Sequence, residues 1–247
     1  MGEGEDRELL LGKHTPAVQH YAPQLLYPIA RSDAREKLGL AGELPFTGVD
    51  VWHAYELSWL DGNDRPVARV GRFSIDAASP NIVESKSFKL YLNSLNGARF
   101  ADVSEAMAII VRDISDAAGA PVELQLYEED ESRLSGARLP GTCIDHEPAA
   151  AEKGEPDGAM LQVREAVVEE KLYSHLLRSL CPVTGQPDWA SVWVHYRGPA
   201  LERSSLLRYL LAYRQHQEFH EQCAERMFSD LHNCLQPEFL HLQACYT

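Results

Sequence analysis

Positive charge is scarce in this sequence. Lysine and arginine number 23 against 37 aspartate and glutamate, a formal net charge of −14 over 247 residues. Long nucleic acid is held through a clustered basic excess, which is absent here, so an anionic ligand must meet a local positive site instead. Long apolar runs are missing as well. No stretch approaches the ~18 residues that a membrane span needs, and the opening MGEGEDRELLLG is acidic where an export signal is positive. The five cysteines, Cys143, Cys181, Cys223, Cys234 and Cys245, are odd in number and contain no C-x-x-C pair. That argues against a disulfide framework and a structural zinc site, and it points to a reducing, cytoplasmic compartment with free thiols. Neither G-x-G-x-x-G nor a Walker loop occurs, so a dinucleotide would be bound outside a Rossmann domain.

What remains is an ordinary globular composition, 45% hydrophobic and 24% charged, in a chain long enough for one large domain or two smaller ones. Residues 1–45 show little periodicity and read as an extended lead-in. From Val49 the pattern alternates over 49–60 and again over 66–76, around the turn Asp61-Gly62-Asn63-Asp64, which predicts a hairpin. A short helix follows at Ser87–Asn93. Asp102 with Glu105 predicts a capping box, ahead of Val103, Met107, Ile110 and Ile114 on one helical face, and Gly119 ends that run. Residues 121–127 alternate again. These elements make a first module over 46–128. An acidic, Pro/Gly-rich connecting segment spans 129–160.

The second module, 161–247, repeats the first. A long segment to Leu180 leads into a turn at Pro182–Asp188, and Trp189–Arg197 alternates as a strand. Leu206, Leu207, Leu210 and Leu211 mark one helix, Phe219, Cys223, Phe228 and Leu231 another, and 238–246 alternate as a last strand. Pro66 matches Pro187, Glu84 matches Glu202, Tyr91 matches Tyr209 and Phe100 matches Phe219 at nearly constant spacing. Two copies of one β-β-α-α-β unit account for this, in an α+β chain.

Three groups of residues could carry chemistry. Cys181 sits at a strand end ahead of a turn, where a thiol is reachable, and Asp188 across that turn could take or return a proton. Cys223 and Cys245 fall on apolar patterns, where a buried thiol is the commoner outcome. Phe219, His220 and Glu221 place an aromatic ring, an imidazole and a carboxylate at a helix start; the carboxylate could accept from a purine-like edge and the ring could stack on it. Acids at a helix start are also favoured by the dipole alone. Glu84-Ser85-Lys86-Ser87-Phe88-Lys89 puts a carboxylate, hydroxyls and lysines before a helix, a plausible phosphate site that simple capping explains equally well. His216, His220 and Cys223 have a spacing that could face one zinc ion if all three lay on a helix, although the order is not H-E-x-x-H.

Glu84-Ser85-Lys86-Ser87-Phe88-Lys89-Leu90-Tyr91 resembles the signature of the NADPH-dependent nitrile reductases that make 7-aminomethyl-7-deazaguanine from 7-cyano-7-deazaguanine on the queuosine pathway, the QueF family. The likeness extends through Glu56-Leu57-Ser58-Trp59-Leu60, Gly141-Thr142-Cys143-Ile144-Asp145, Gln186-Pro187-Asp188-Trp189 and Phe219-His220-Glu221-Gln222-Cys223, roughly 45–247. The longer, two-module branch is the one it is similar to, which implies two tandem tunnelling-fold (T-fold) modules with antiparallel sheets and paired helices on one face. By that resemblance Cys181 attacks the nitrile to give a thioimide, Asp188 protonates nitrogen and His220 assists. Glu221, Val83, Glu84, Ser85 and His220 contact the substrate, with Phe219 packed on its ring, while Ser85 and Lys86 contact NADPH. The resemblance also implies that the site draws on both modules, that no metal is needed and that the protein is a homodimer.

The sequence departs from the family at Tyr246-Thr247, where the family continues into an Arg-Arg-Gly-Gly segment that helps to bind NADPH; nitrile capture is then expected to survive better than reduction. Two other readings compete with it. One is a zinc-dependent T-fold enzyme on a pterin-like substrate, using His216, His220 and Cys223. The other is a purine-binding module without turnover.

Overall fold

The structure is a computed structural model and describes residues 20–40, 42–134, 136–149 and 154–247. Residues 1–19 and 41 of the expected lead-in, and 135 and 150–153 of the connecting segment, lie outside the described residues. The chain divides into two compact units, Met1–Ser135 and Gly136–Thr247.

In the first unit, β1 (Pro28–Ala30) and α1 (Ser32–Lys37) precede the hairpin of β2 (Val49–Leu60) and β3 (Pro66–Asp76). Then come β4 (Asn81–Val83), α2 (Ser85–Ser94), α3 (Val103–Ala118) and β5 (Val122–Tyr127). The main sheet is antiparallel in the order β2-β3-β5, and β1 pairs with β4. The hairpin turns where the sequence predicts: the Asp61 carboxylate accepts from the backbone N–H of Asn63 at 2.8 Å and of Arg65 at 3.0 Å. Asp102 caps α3 by accepting from Glu105 N–H at 2.9 Å, while Glu105 reaches back to Ala101 N–H at 2.6 Å, one residue upstream of a standard box. Gly119, at φ 71°, adopts the left-handed conformation that ends the helix. Alternation on the strands and the 3.6-residue period on the helices converge on one core of Trp59, Phe73, Tyr91, Ile110 and Ile114.

The second unit contains β6 (Thr142–Cys143), β7 (Val163–Leu180), β8 (Pro187–Leu201), α4 (Arg203–Ala212), α5 (His220–Leu235) and β9 (Phe239–Tyr246). Its sheet runs β6-β7-β8-β9, antiparallel except for the short parallel β6-β7 pairing. On α5 the buried row is Cys223, Met227 and Leu231; Phe228 is displaced from it and stacks on His232 instead.

The internal repeat holds in detail. Tyr91 and Tyr209 are both fully buried, and each donates to an aspartate on the following helix, Asp113 at 2.8 Å and Asp230 at 2.6 Å. Both first strands carry a bulge, at Ala54/Leu57 and at Ser174/Leu177. One sequence match is displaced: the residue that occupies the N-cap of α3, as Phe219 does for α5, is Asp102 rather than Phe100.

The lead-in is not simply extended. A 3-10 turn at Pro23–Leu25 precedes β1, Tyr27 accepts from Glu84 N–H at 2.9 Å, and Tyr27 N–H donates to Ser87 Oγ at 3.0 Å. The second unit has the same clasp, with a 3-10 turn at Gly158–Met160, Glu202 N–H donating to Gln162 at 2.8 Å, and Gln162 N–H donating to Ser205 Oγ at 3.0 Å. There the clasp runs straight into the 18-residue β7. A three-residue strand held by backbone bonds leaves no periodicity to read.

Candidate active site

Cys181 is the first residue after β7 and opens the hairpin to β8. Its N–H donates to Gln186 at 2.8 Å, and its carbonyl accepts from Gly185 N–H at 2.9 Å. Gly185 sits at φ 68°, a left-handed conformation that glycine adopts without strain. The Cys181 side chain is partly exposed, whereas Cys223 is fully buried and its thiol is pushed up to about 12 by that burial. Burial also raises Cys234 and Cys245. A thiol raised in this way carries little thiolate at neutral pH.

Asp188 is the second residue of β8 and lies opposite Ser179 of β7. Its carboxylate meets His220 Nε2 at 3.2 Å. His220 begins α5, and its ring lies flat on that of Tyr246, with centroids 3.8 Å apart and planes within 3°. Burial pushes the imidazole below its ordinary value, against the pull of the Asp188 carboxylate. Phe219 caps the helix, its N–H reaching Gln222 Oε1 at 3.4 Å, and Glu221 occupies the first turn. Asp188, Phe219, His220 and Glu221 are thus gathered at one end of the second unit, where the Cys181 hairpin also lies.

The segment leading into α5 is fixed by an ionic cluster that the sequence reading missed. His216 bonds Glu155 through Nδ1 and meets Glu218 at 2.9 Å through Nε2, and Glu218 also pairs with Arg226. Burial opposes charge on Glu218, but the bonds from His216 and Arg226 prevail and hold its carboxyl at about 2. Burial likewise opposes charge on His216, yet Glu218 and Glu155 lift its pKa above the ordinary value. The carbonyl of His216 accepts from Leu180 N–H at 2.8 Å, tying this cluster to the residue before Cys181. Trp189, exposed beside Asp188, has the guanidinium carbons of Arg178 and Arg214 at 5.9 and 5.6 Å from its ring, a local positive charge in an acidic chain.

The zinc reading fails on geometry. His216 precedes α5 in an extended conformation, so its spacing to His220 is not a helical i, i+4 spacing. His216 is engaged by Glu155 and Glu218, whereas His220 and Cys223 neighbour Tyr246, and among the described residues no group of three or more His, Cys, Asp or Glu is arranged to hold a metal ion.

Val83, Glu84, Ser85 and Lys86 lie together in the first unit, at the junction of β4 and α2. Glu84 is the N-cap residue rather than part of a preceding loop. Its carboxylate accepts from Lys86 N–H at 2.9 Å and Ser87 N–H at 2.7 Å, and the residue is 2% exposed. The helix-start N–H groups that were expected to cradle a phosphate are therefore occupied by the chain's own carboxylate. Ser85 and Lys86 remain exposed, and a hydroxyl beside an ammonium group suits a phosphate. Ser85 Oγ also donates to the Glu84 carboxylate at 3.4 Å, so three of its roughly four acceptor positions are used and one is left for a further donor.

Comparison with known proteins adds a second line of observation. A family model described as "Nitrile reductase, 7-cyano-7-deazaguanine-reductase N-term" matches residues 17–126, and one described as "QueF-like protein" matches 187–247. Proteins named NADPH-dependent 7-cyano-7-deazaguanine reductase from Chromohalobacter salexigens and Dechloromonas aromatica are 48% and 49% identical to the chain. Each alignment covers 96% of this chain, and 86% and 85% of the respective relative. Among the described residues no helix is long and apolar enough to cross a membrane.

Proposed function

The chain belongs to the family of NADPH-dependent 7-cyano-7-deazaguanine reductases, and from that premise we propose how its residues divide the reaction. The activity is reduction of the nitrile of 7-cyano-7-deazaguanine to an aminomethyl group, with NADPH as reductant, in queuosine biosynthesis. The fold is the two-module T-fold of that family.

In this reading the Cys181 thiolate adds to the nitrile carbon. As the C–S bond forms, one π bond of the nitrile breaks, and the nitrogen takes a proton from Asp188 to give a thioimide. NADPH, when bound, supplies hydride to that carbon. Breaking of the C–S bond returns the thiolate and leaves an imine, and a second reduction gives the amine. His220, neutral because it is buried, hydrogen-bonds Asp188 and assists the proton transfers. Glu221 and Glu84 accept from the N–H edge of the deazaguanine, Phe219 packs on its ring, and Val83 and Ser85 complete the contacts. Ser85 and Lys86 contact the NADPH phosphates. The bonds that fix the Glu84 carboxylate would present its remaining lone pair in a set direction.

The observation that carries this reading is the 3.2 Å Asp188–His220 contact at the base of the hairpin that Cys181 opens. A homodimer and a cytoplasmic location belong to the same reading. They are supported by the β9 edge, which has no further strand partner among the described residues, and by five free cysteines.

Intact mass spectrometry after mixing the protein with 7-cyano-7-deazaguanine, without NADPH, tests the reading. A gain equal to the whole nitrile, absent from Cys181→Ala, is expected. Tight but wholly reversible binding, with no adduct on the folded and reduced protein, would leave a purine-binding module in its place.

A further inference from the structure

We propose that Tyr246 is a positioning residue for His220: its ring covers one face of the imidazole and fixes the plane in which Nε2 meets Asp188. The inference rests on the reading of Asp188 and His220 as a proton-transfer pair.

His220 is the first residue of α5, where little of the helix constrains its side chain. Three features converge on its orientation. The Asp188 carboxylate fixes one ring nitrogen at 3.2 Å, the Tyr246 ring fixes the plane at 3.8 Å and 3°, and the Tyr246 hydroxyl is itself buried beside Ser179 and Cys223. A ring held flat against a second ring cannot rotate about its outer bond without losing that contact. The stack depends on strand register. Tyr246 is the last residue of β9, opposite Ala190, which lies two residues beyond Asp188 on β8. A slip of one residue in β9 would turn the phenol to the other face of the sheet.

The groups that meet His220 are Asp188 from β8 and Tyr246 from β9, whose hydroxyl lies beside Ser179 of β7 and Cys223 of α5. Asp188 favours the imidazolium, whereas the apolar cover favours the neutral ring. Removing the cover admits water to the ring, which favours the imidazolium, and frees the ring to leave the plane in which Nε2 meets Asp188. The neutral, oriented ring that assists the proton transfer is then lost at a higher pH.

The test is the pH dependence of adduct formation, measured in single turnover with 7-cyano-7-deazaguanine and no NADPH, in four proteins. In Tyr246→Leu the midpoint of the acid limb should rise by about one pH unit, so that capture slows about tenfold well below the midpoint and only about threefold at neutral pH. In Tyr246→Phe, which keeps the stack and removes the hydroxyl, the midpoint should stay within a few tenths of a unit of the unsubstituted protein. Equal profiles for Tyr246→Leu and the unsubstituted protein, with Asp188→Asn strongly impaired, would overturn the positioning role and leave the Asp188–His220 reading intact. An unimpaired Asp188→Asn would sink that reading itself. Should Tyr246→Leu fail to fold, proton–carbon NMR on the unsubstituted protein decides, with the His220 signals assigned by their loss in His220→Gln. Ring protons shifted upfield by the phenol are expected, and unshifted ring protons would overturn the stack.

Discussion

In the first unit the residue that opens the main hairpin is Asp61; in the second it is Cys181. Both turns are built alike. The opening N–H donates across the turn, to Arg65 in one and Gln186 in the other, and each turn has a residue in the left-handed region, Asp64 at φ 60° and Gly185 at φ 68°. The same substitution of chemistry on a shared frame recurs nearby. Where the second unit has Asp188 directly after Pro187, the first has Val67 after Pro66; where α5 begins with His220, α3 begins with Val103. Tyr246 in β9 also lacks a counterpart, because β5 ends at Tyr127, opposite Val70, one residue short of the equivalent place. The buried tyrosine–aspartate pairs, by contrast, are kept in both units. The frame is therefore set by buried pairs and backbone bonds, while turns and helix starts are free to gain or lose reactive groups.

The sharpest way to break that contrast is to exchange the hairpin residues. Cys181→Ala should abolish adduct formation and reduce turnover by more than about a thousandfold, whereas Asp61→Ala should leave adduct formation intact and cost only turn stability; measurable turnover in Cys181→Ala would show that the thiol is dispensable. Asp188→Asn keeps the shape but removes the proton, and capture should slow by about 10²–10⁴, with Val67→Asn in the first unit as the control that changes stability alone.

A smaller effect separates the units by pH. The Glu218 carboxyl is held at about 2 against an ordinary 4.5, so its contribution to stability is complete above pH 4.5 and lost as pH falls towards 2. His216 is raised, so its contribution is complete below its unfolded value near 6.5 and lost as pH rises through the folded one. Chemical denaturation between pH 2 and 8 should show about 1–3 kcal/mol of such dependence, flattened in Glu218→Gln; an unchanged curve in that variant would remove the cluster from the account. The smallest contrast lies at the two matched glutamates. Glu84→Ala removes a cap and should cost about 1 kcal/mol, while Glu202→Ala removes only an exposed pair with Arg164 and should cost less than about half of that.

Much of the frame was legible in the letters because it is local. The alternation around Asp61-Gly62-Asn63-Asp64 and the Asp102 cap each depend on residues within a few positions, and the helix start at Phe219-His220 was readable for the same reason. The row containing Cys223 marked that thiol as buried. What escaped was set at a distance. Tyr246 reaches His220 only through the β8–β9 register, and the Glu155–His216–Glu218–Arg226 cluster joins residues from a loop, a turn and a helix. The Glu84 carboxylate is open between two roles in the letters, because its side chain could equally serve a ligand or its own helix, and nothing in the spacing chooses between them.

The clasp bears on where the repeat begins. Pro23–Leu25 and Tyr27 do for α2 what Gly158–Met160 and Gln162 do for α4. A repeat drawn only over Val49–Tyr127 would leave out the backbone partner of the helix start. The repeated unit therefore opens upstream, at the turn before β1, and the first unit has a stretch between Ala30 and Val49 that the second lacks. With that stretch in place β1–β4 is a separate ribbon, whereas in the second unit the corresponding pairing forms the far ends of β7 and β8, Val163 opposite Leu201.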